Sequence, residues 1–142
     1  VQLLRTIKGV VTFDLGFTYV GNELVIDALI RRFPITLQVT FFSLAISLVI
    51  AIPAGIYSAV KVNSLFDQFF MFIALIGLSI PTFWLGLIFI LNFSIRNRWL
   101  PATFNPDNPW SLLMPAIVLG TSLAASVARM TRASTLAVIH ED

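Results

Sequence analysis

The amino-acid sequence predicts an all-α membrane protein, three transmembrane helices preceded by amphipathic ones, and three observations lead there. Hydrophobic residues make up 58 % of the 142 residues and charged ones only 11 %. The mean hydropathy of +0.92 lies well outside the usual range of soluble domains. Uncharged runs of 28, 28 and 21 residues separate Arg32 from Lys61, Asp67 from Arg96 and Asp107 from Arg129. Each can cross a hydrocarbon core about 30 Å thick at about 1.5 Å per residue.

Residues 1–35 form the amphipathic segment. Leu3, Leu4, Ile7, Val10 and Val11 recur at helical spacing among polar neighbours, as do Val25, Ile26, Leu29, Ile30 and Phe33 among Glu23, Asp27, Arg31 and Arg32. Two helices joined by the turn "FDLGFTYVGN" are expected, lying on the bilayer surface or capping the bundle. Val1 is not a methionine, and no signal-peptide pattern precedes the first polar segment. The chain is therefore read as an internal piece of a longer protein.

The spans are expected over about 36–60, 67–95 and 111–132, within a three-helix region 36–139. Pro34 suits the start of the first, since a first-turn residue needs no backbone donor. Ser64-Leu65-Phe66-Asp67 reads as a capping box opening the second. That run could reach roughly 42 Å, so it must tilt, kink or protrude. Pro53 in the first span and Pro81 in the second are the expected bends. Trp99 and Trp110 bracket the loop "LPATFNPDNPW" and suit an interfacial belt.

Small residues recur every fourth position at Ser43, Ser47, Ala51 and Gly55, and again at Ala116, Gly120, Ala124 and Ala128. Within lipid, such rows let helix backbones approach and gain dispersion contacts. The spacing leaves two readings open, packing within one bundle and rocking against a second subunit. Ser79 and Thr82 are polar residues of the second span that could line a pathway. No Asp, Glu, His or Lys lies inside the uncharged runs, which argues against an ion-coupled carrier but not against a passive or externally driven one.

Several chemistries find no residues to carry them. No phosphate-cradling Gly-x-x-x-x-Gly-Lys-Ser/Thr stretch occurs, and the one histidine, His140, cannot build a metal site alone. Nine scattered basic residues form no stripe for nucleic acid. No enzyme activity and no cofactor are expected.

The blocks "DLGFTY", "RRFPITLQVTFFSLAISLVIAIPAGIYSAV", "LFDQFFMFIALIGLSIPTFWLGLIFI", "RWLPAT" and "LLMPAIVLGTSLAASVARMTRASTLAVIHED" follow one another along the chain. Together they resemble the permease subunits of the dipeptide/oligopeptide/nickel family of ABC importers, most specifically at "LSIPTFWLGL" and at "ARMTRASTL" followed by Glu-Asp. The resemblance implies part of a type I ABC-importer transmembrane domain, with the second, third and fourth of six helices and an external amphipathic segment. It implies that Arg132, Glu141 and Asp142 stand at the entrance of a cytoplasmic coupling loop whose short helix docks on an ATPase, residues 140–142 being its truncated start.

The implied partners are a second homologous permease, two ATP-binding ATPase subunits, an extracytoplasmic substrate-binding protein and the bilayer of a bacterial or archaeal cytoplasmic membrane. The implied function is the membrane subunit of an ATP-driven importer for peptides or related small solutes. A non-transporting membrane scaffold and part of an ion-coupled secondary transporter are the alternatives. By resemblance the "RWLPAT" loop lies outside, and Lys61 to Phe66 and the carboxyl end lie inside. A positive-inside count alone favours the reverse, with Arg5, Lys8, Arg31, Arg32, Arg96 and Arg98 on one side against Lys61, Arg129 and Arg132 on the other.

Overall fold

The computed structural model describes residues 9–12, 14–19 and 21–141. Leu3, Leu4 and Ile7 of the first expected amphipathic helix, and Asp142, lie outside the described residues. The chain falls into two compact units, Val1–Gln38 and Val39–Asp142.

In the first unit the expected turn closes on itself. Gly16, Gly21 and Asn22 take positive φ of 73°, 90° and 49°, a region open to glycine and tolerated by asparagine. Phe17 and Leu24 form an isolated antiparallel bridge. The Thr18 N–H donates to the Glu23 carbonyl (2.9 Å), and the Val25 N–H to that of Gly16 (3.0 Å). An Arg31–Glu23 ion pair closes the same corner.

Helix α1 then runs from Val25 to Val60. Its start corrects the expectation at Pro34, and the amphipathic segment and the first span are one helix. The turn already supplies a first-turn partner for Val25, whose N–H donates to the Gly16 carbonyl, so the helix begins there. Pro34 removes one intrahelical hydrogen bond from a helix of 36 residues, a loss the rest of the helix outweighs.

In the second unit α1 is followed by α2 (Leu65–Ser79), α3 (Thr82–Phe89) continuing into a π-helical turn (Ile90–Arg96), a 3₁₀ turn (Pro109–Leu112) and α4 (Leu113–Glu141). Two segments, Val25–Val60 and Pro109–His140, are each long and apolar enough to cross a membrane. Leu65–Ser79 with Thr82–Arg96 meets the same test as a pair bent by 92°. The three expected spans correspond to two long helices and one pair of helices bent sharply at Pro81, and the fold is all-helical among the described residues.

The two prolines behave differently. At Pro81 the preceding Ile80 is extended (ψ 121°), as steric conflict with the proline ring demands. The broken ends are still satisfied: the Ile80 N–H reaches the Ile76 carbonyl and the Leu85 N–H that of Pro81, both at 3.1 Å. Pro53, by contrast, stays within continuous helix, and the expected bend produces no break there. Its neighbours Ala51 and Gly55 are buried against α4, which holds the backbone in place; Pro81 and Thr82 are exposed.

A further correction concerns the end of α4. The third span was expected to stop near Arg132 and give way to a loop at 140, but the helix continues to Glu141. No glycine or proline follows Gly120 to stop it. The side chain of Thr135 instead bonds back to the Thr131 carbonyl (2.8 Å).

Candidate functional site

The site is built where α1 ends, α2 begins and α4 passes. Asn63, at φ 62°, turns the chain between α1 and α2. Ser64 caps α2, its Oγ accepting from the Asp67 N–H (3.2 Å). Half of the expected capping box forms, because the Asp67 carboxylate turns away from Ser64. It accepts instead from the Asn63 N–H (2.9 Å) and from the Ser58 hydroxyl in the last turn of α1.

The remaining donors come from α4. Arg132 donates through Nε to Oδ1 and through Nη2 to Oδ2, both at 2.7 Å. This two-pronged geometry is the strong form of a carboxylate–guanidinium contact. Asp67 is 3 % exposed, so its charge is bound from every side by groups of α1, the turn and α4. Pairing and hydrogen bonding of this kind are what make a buried carboxylate tolerable. The pair also sets the turn Lys61–Ser64 beside α4, at one end of the bundle.

Away from this knot, contacts are made by shape. All eight small residues of the two rows, Ser43, Ser47, Ala51, Gly55, Ala116, Gly120, Ala124 and Ala128, are buried. The rows face each other within this chain. A Cβ on Gly55 would lie 2.7 Å from the Ala128 carbonyl oxygen, and one on Gly120 2.9 Å from both the Ser43 carbonyl oxygen and the Ile46 Cβ. Both pairs advance in the same direction, so α1 and α4 run parallel, while α2 runs antiparallel to α4, with Gly77 opposite Ala125. Ser43 bonds back to the Val39 carbonyl (2.7 Å). The Ser47 hydroxyl is buried with no partner among the described residues.

The other sequence candidates fall elsewhere. Ser79 is the last residue of α2 and donates to the Leu75 carbonyl (2.9 Å). It lines an open apolar hollow in the crook of the bend with Leu75, Ile76, Ile80, Pro81, Phe83 and Trp84. Thr82 starts α3 and is exposed, outside that lining. Glu141 ends α4.

Sequence reasoning missed Asp67 and Arg132 as a pair. It takes the first as a capping acid bounding a span and the second as a loop-entrance residue. A signal was present: Asp67 is the one acid between Asp27 and Asp107. Antiparallel spans bring the start of one beside the end of the next.

A bundle of helices long and apolar enough to cross a membrane, with a pair bent at a proline, close-packed faces and a buried ion pair, defines a membrane-embedded helical component. Residues 51–142 match the family of binding-protein-dependent transport system inner membrane components, and the chain belongs to that family. It is 35 % identical over 170 residues to the dipeptide transport system permease protein DppB of Alkalihalophilus pseudofirmus, covering 100 % of this chain and 51 % of that protein. It is 37 % identical over 141 residues to the glutathione transport system permease protein GsiC of Escherichia coli K12, covering 99 % and 46 %. A putative peptide transport system permease of Brucella suis is 34 % identical over 149 residues, covering 100 % and 48 %. The chain spans about half the length of these relatives.

Proposed function

We propose that this chain forms part of the pathway wall in an ATP-driven importer of peptides or related small solutes. The family match over residues 51–142 carries the reading, because it covers the end of α1, the bent span and all of α4. The partners are a second homologous permease, two ATPase subunits that hydrolyse the nucleotide, and an extracytoplasmic binding protein that delivers the solute. The turn Lys61–Ser64 and the end of α4 face the cytoplasm together in this arrangement. Arg132, Glu141 and Asp142 then lead toward the ATPase contact, and Ser79 and Thr82 stand at the bend as candidate lining of the pathway.

Division of labour follows from the chemistry. Helix faces made of Ala, Gly and Ser offer no directional bonds between α1 and α4, so they provide a dry wall and a close-packed bearing rather than a binding site. In this reading work enters from the ATPase partners, and the small-residue faces only transmit it.

The test is reconstitution of the complete permease with its ATPase and binding-protein partners in proteoliposomes. Peptide uptake is expected to require both ATP and the binding protein. Uptake that persists without the ATPase, or an assembled complex that moves no solute, would overturn the reading.

A further inference from the structure

Three observations at the end of the bundle bear on how force passes through it. The Asp67 carboxylate is bound at once from the last turn of α1, from the inter-helix turn and from α4. Where α2 and α4 meet farther along, at Gly77 and Ala125, and where α1 and α4 meet through their small residues, contact is by dispersion and shape. Beyond Arg132, α4 continues to Glu141, about two and a half turns, with Ala133, Ser134 and Val138 to His140 exposed.

We propose that Asp67 and Arg132 are a positioning pair that makes the end of α4 and the start of α2 move as one body. Force on α4 beyond Arg132 is thereby delivered to the bent pair α2–α3 instead of being lost as sliding. The argument is mechanical. A helix end held by contacts without direction can shift along its neighbour. A planar guanidinium bound at both oxygens of a carboxylate that is itself held by two further donors cannot shift without breaking them all. The 92° bend at Pro81 then converts displacement of α2 into displacement of α3. This deepens the importer reading and rests on it.

The experiment uses the complete transporter in proteoliposomes and measures ATP hydrolysis and peptide uptake on the same samples. Asp67→Asn keeps the shape of the side chain and the reach to Ser58 but loses the charge that grips Arg132. The complex is expected to assemble and hydrolyse ATP within about twofold of wild type, while ATP consumed per peptide rises about five- to tenfold, the scale of a lost coupling contact. A purely structural role would lower both rates together and leave that ratio unchanged, which overturns the proposal. Should Asp67→Asn not assemble, Ser58→Ala removes one donor and leaves the ion pair. Its ratio is expected to rise about twofold, and an unchanged ratio again overturns the proposal. A wild-type complex without ATP-dependent uptake instead removes the importer reading, and this inference with it.

Discussion

Helix α4 meets α1 and α2 by opposite means. Against α1 it presents Ala116, Gly120, Ala124 and Ala128 to a matching row, and the fit is spread along the whole face. Against α2 the decisive contact is gathered at one point, where Arg132 grips a carboxylate that is 3 % exposed. Lipid offers no hydrophobic drive to join helices, so each interface needs another source of specificity. One uses the absence of side-chain volume and the other uses charge. The first should break when atoms are added, and the second when atoms are removed.

The largest effect is expected at the charged contact. Asp67→Ala strands a partly buried guanidinium, and removing one member of such a pair costs about 3–5 kcal/mol. Unfolding of the purified protein by SDS titration should show this loss, and a change below about 1 kcal/mol would reduce the pair to a surface ornament.

Next comes Gly120→Leu. Even the first added carbon would sit 2.9 Å from the Ser43 carbonyl oxygen, and backbone cannot swing aside as a flexible side chain can. Overpacking is expected to cost about 1–3 kcal/mol and to lower uptake by the complete permease. Wild-type assembly and uptake in this variant would refute the shape-based account of the α1–α4 face. Gly86 is the internal control: a Cβ there meets nothing within 4 Å. Gly86→Ala should gain roughly 0.5–1 kcal/mol from helix propensity alone.

A smaller loss, about 1 kcal/mol, is expected for Ser58→Ala, which removes one hydrogen bond to Asp67 while the ion pair stands. The same SDS titration measures it. A loss as large as that of Asp67→Ala would mean that Ser58, not Arg132, holds the carboxylate.

The contrast between the two interfaces also explains what could be read from the sequence. Shape is local in a helix: a small residue every fourth position writes the α1–α4 face into the chain, and all eight positions are buried. The apolar helices were legible for the same reason, as uncharged runs of membrane length. The ion pair joins residues 65 positions apart, and each member has an adequate local role, as cap or at a loop entrance. Only antiparallel packing of α2 on α4 makes them neighbours. Helix boundaries were the other loss. Pro34 is a plausible helix start in isolation, and it is overridden because the turn at Gly16–Leu24 closes onto Val25 first. The end of α4 was placed too early because a change from apolar to charged residues marks where lipid ends, which is a different boundary from where a helix ends.

A last effect, as small as that at Gly86, should also be a gain. Ser47 lies in the α1 row and is 0 % exposed, and its hydroxyl has no partner among the described residues. On a separated α1 helix in lipid the same hydroxyl is free to bond back to the carbonyl four residues earlier, that of Ser43, so assembly costs it a hydrogen bond. That carbonyl is among the atoms a Cβ on Gly120 would crowd, at 2.9 Å. Ser47→Ala keeps the small volume the face requires and removes the stranded polar atom. The expected result is a gain of about 0.5–1 kcal/mol in SDS titration, with uptake retained. Ser47→Ala and Ser58→Ala delete the same hydroxyl from the same helix, eleven residues apart. A loss at both positions would show that the α1–α4 face also depends on polar bonds, and the distinction between a face held by shape and a point held by charge would fall.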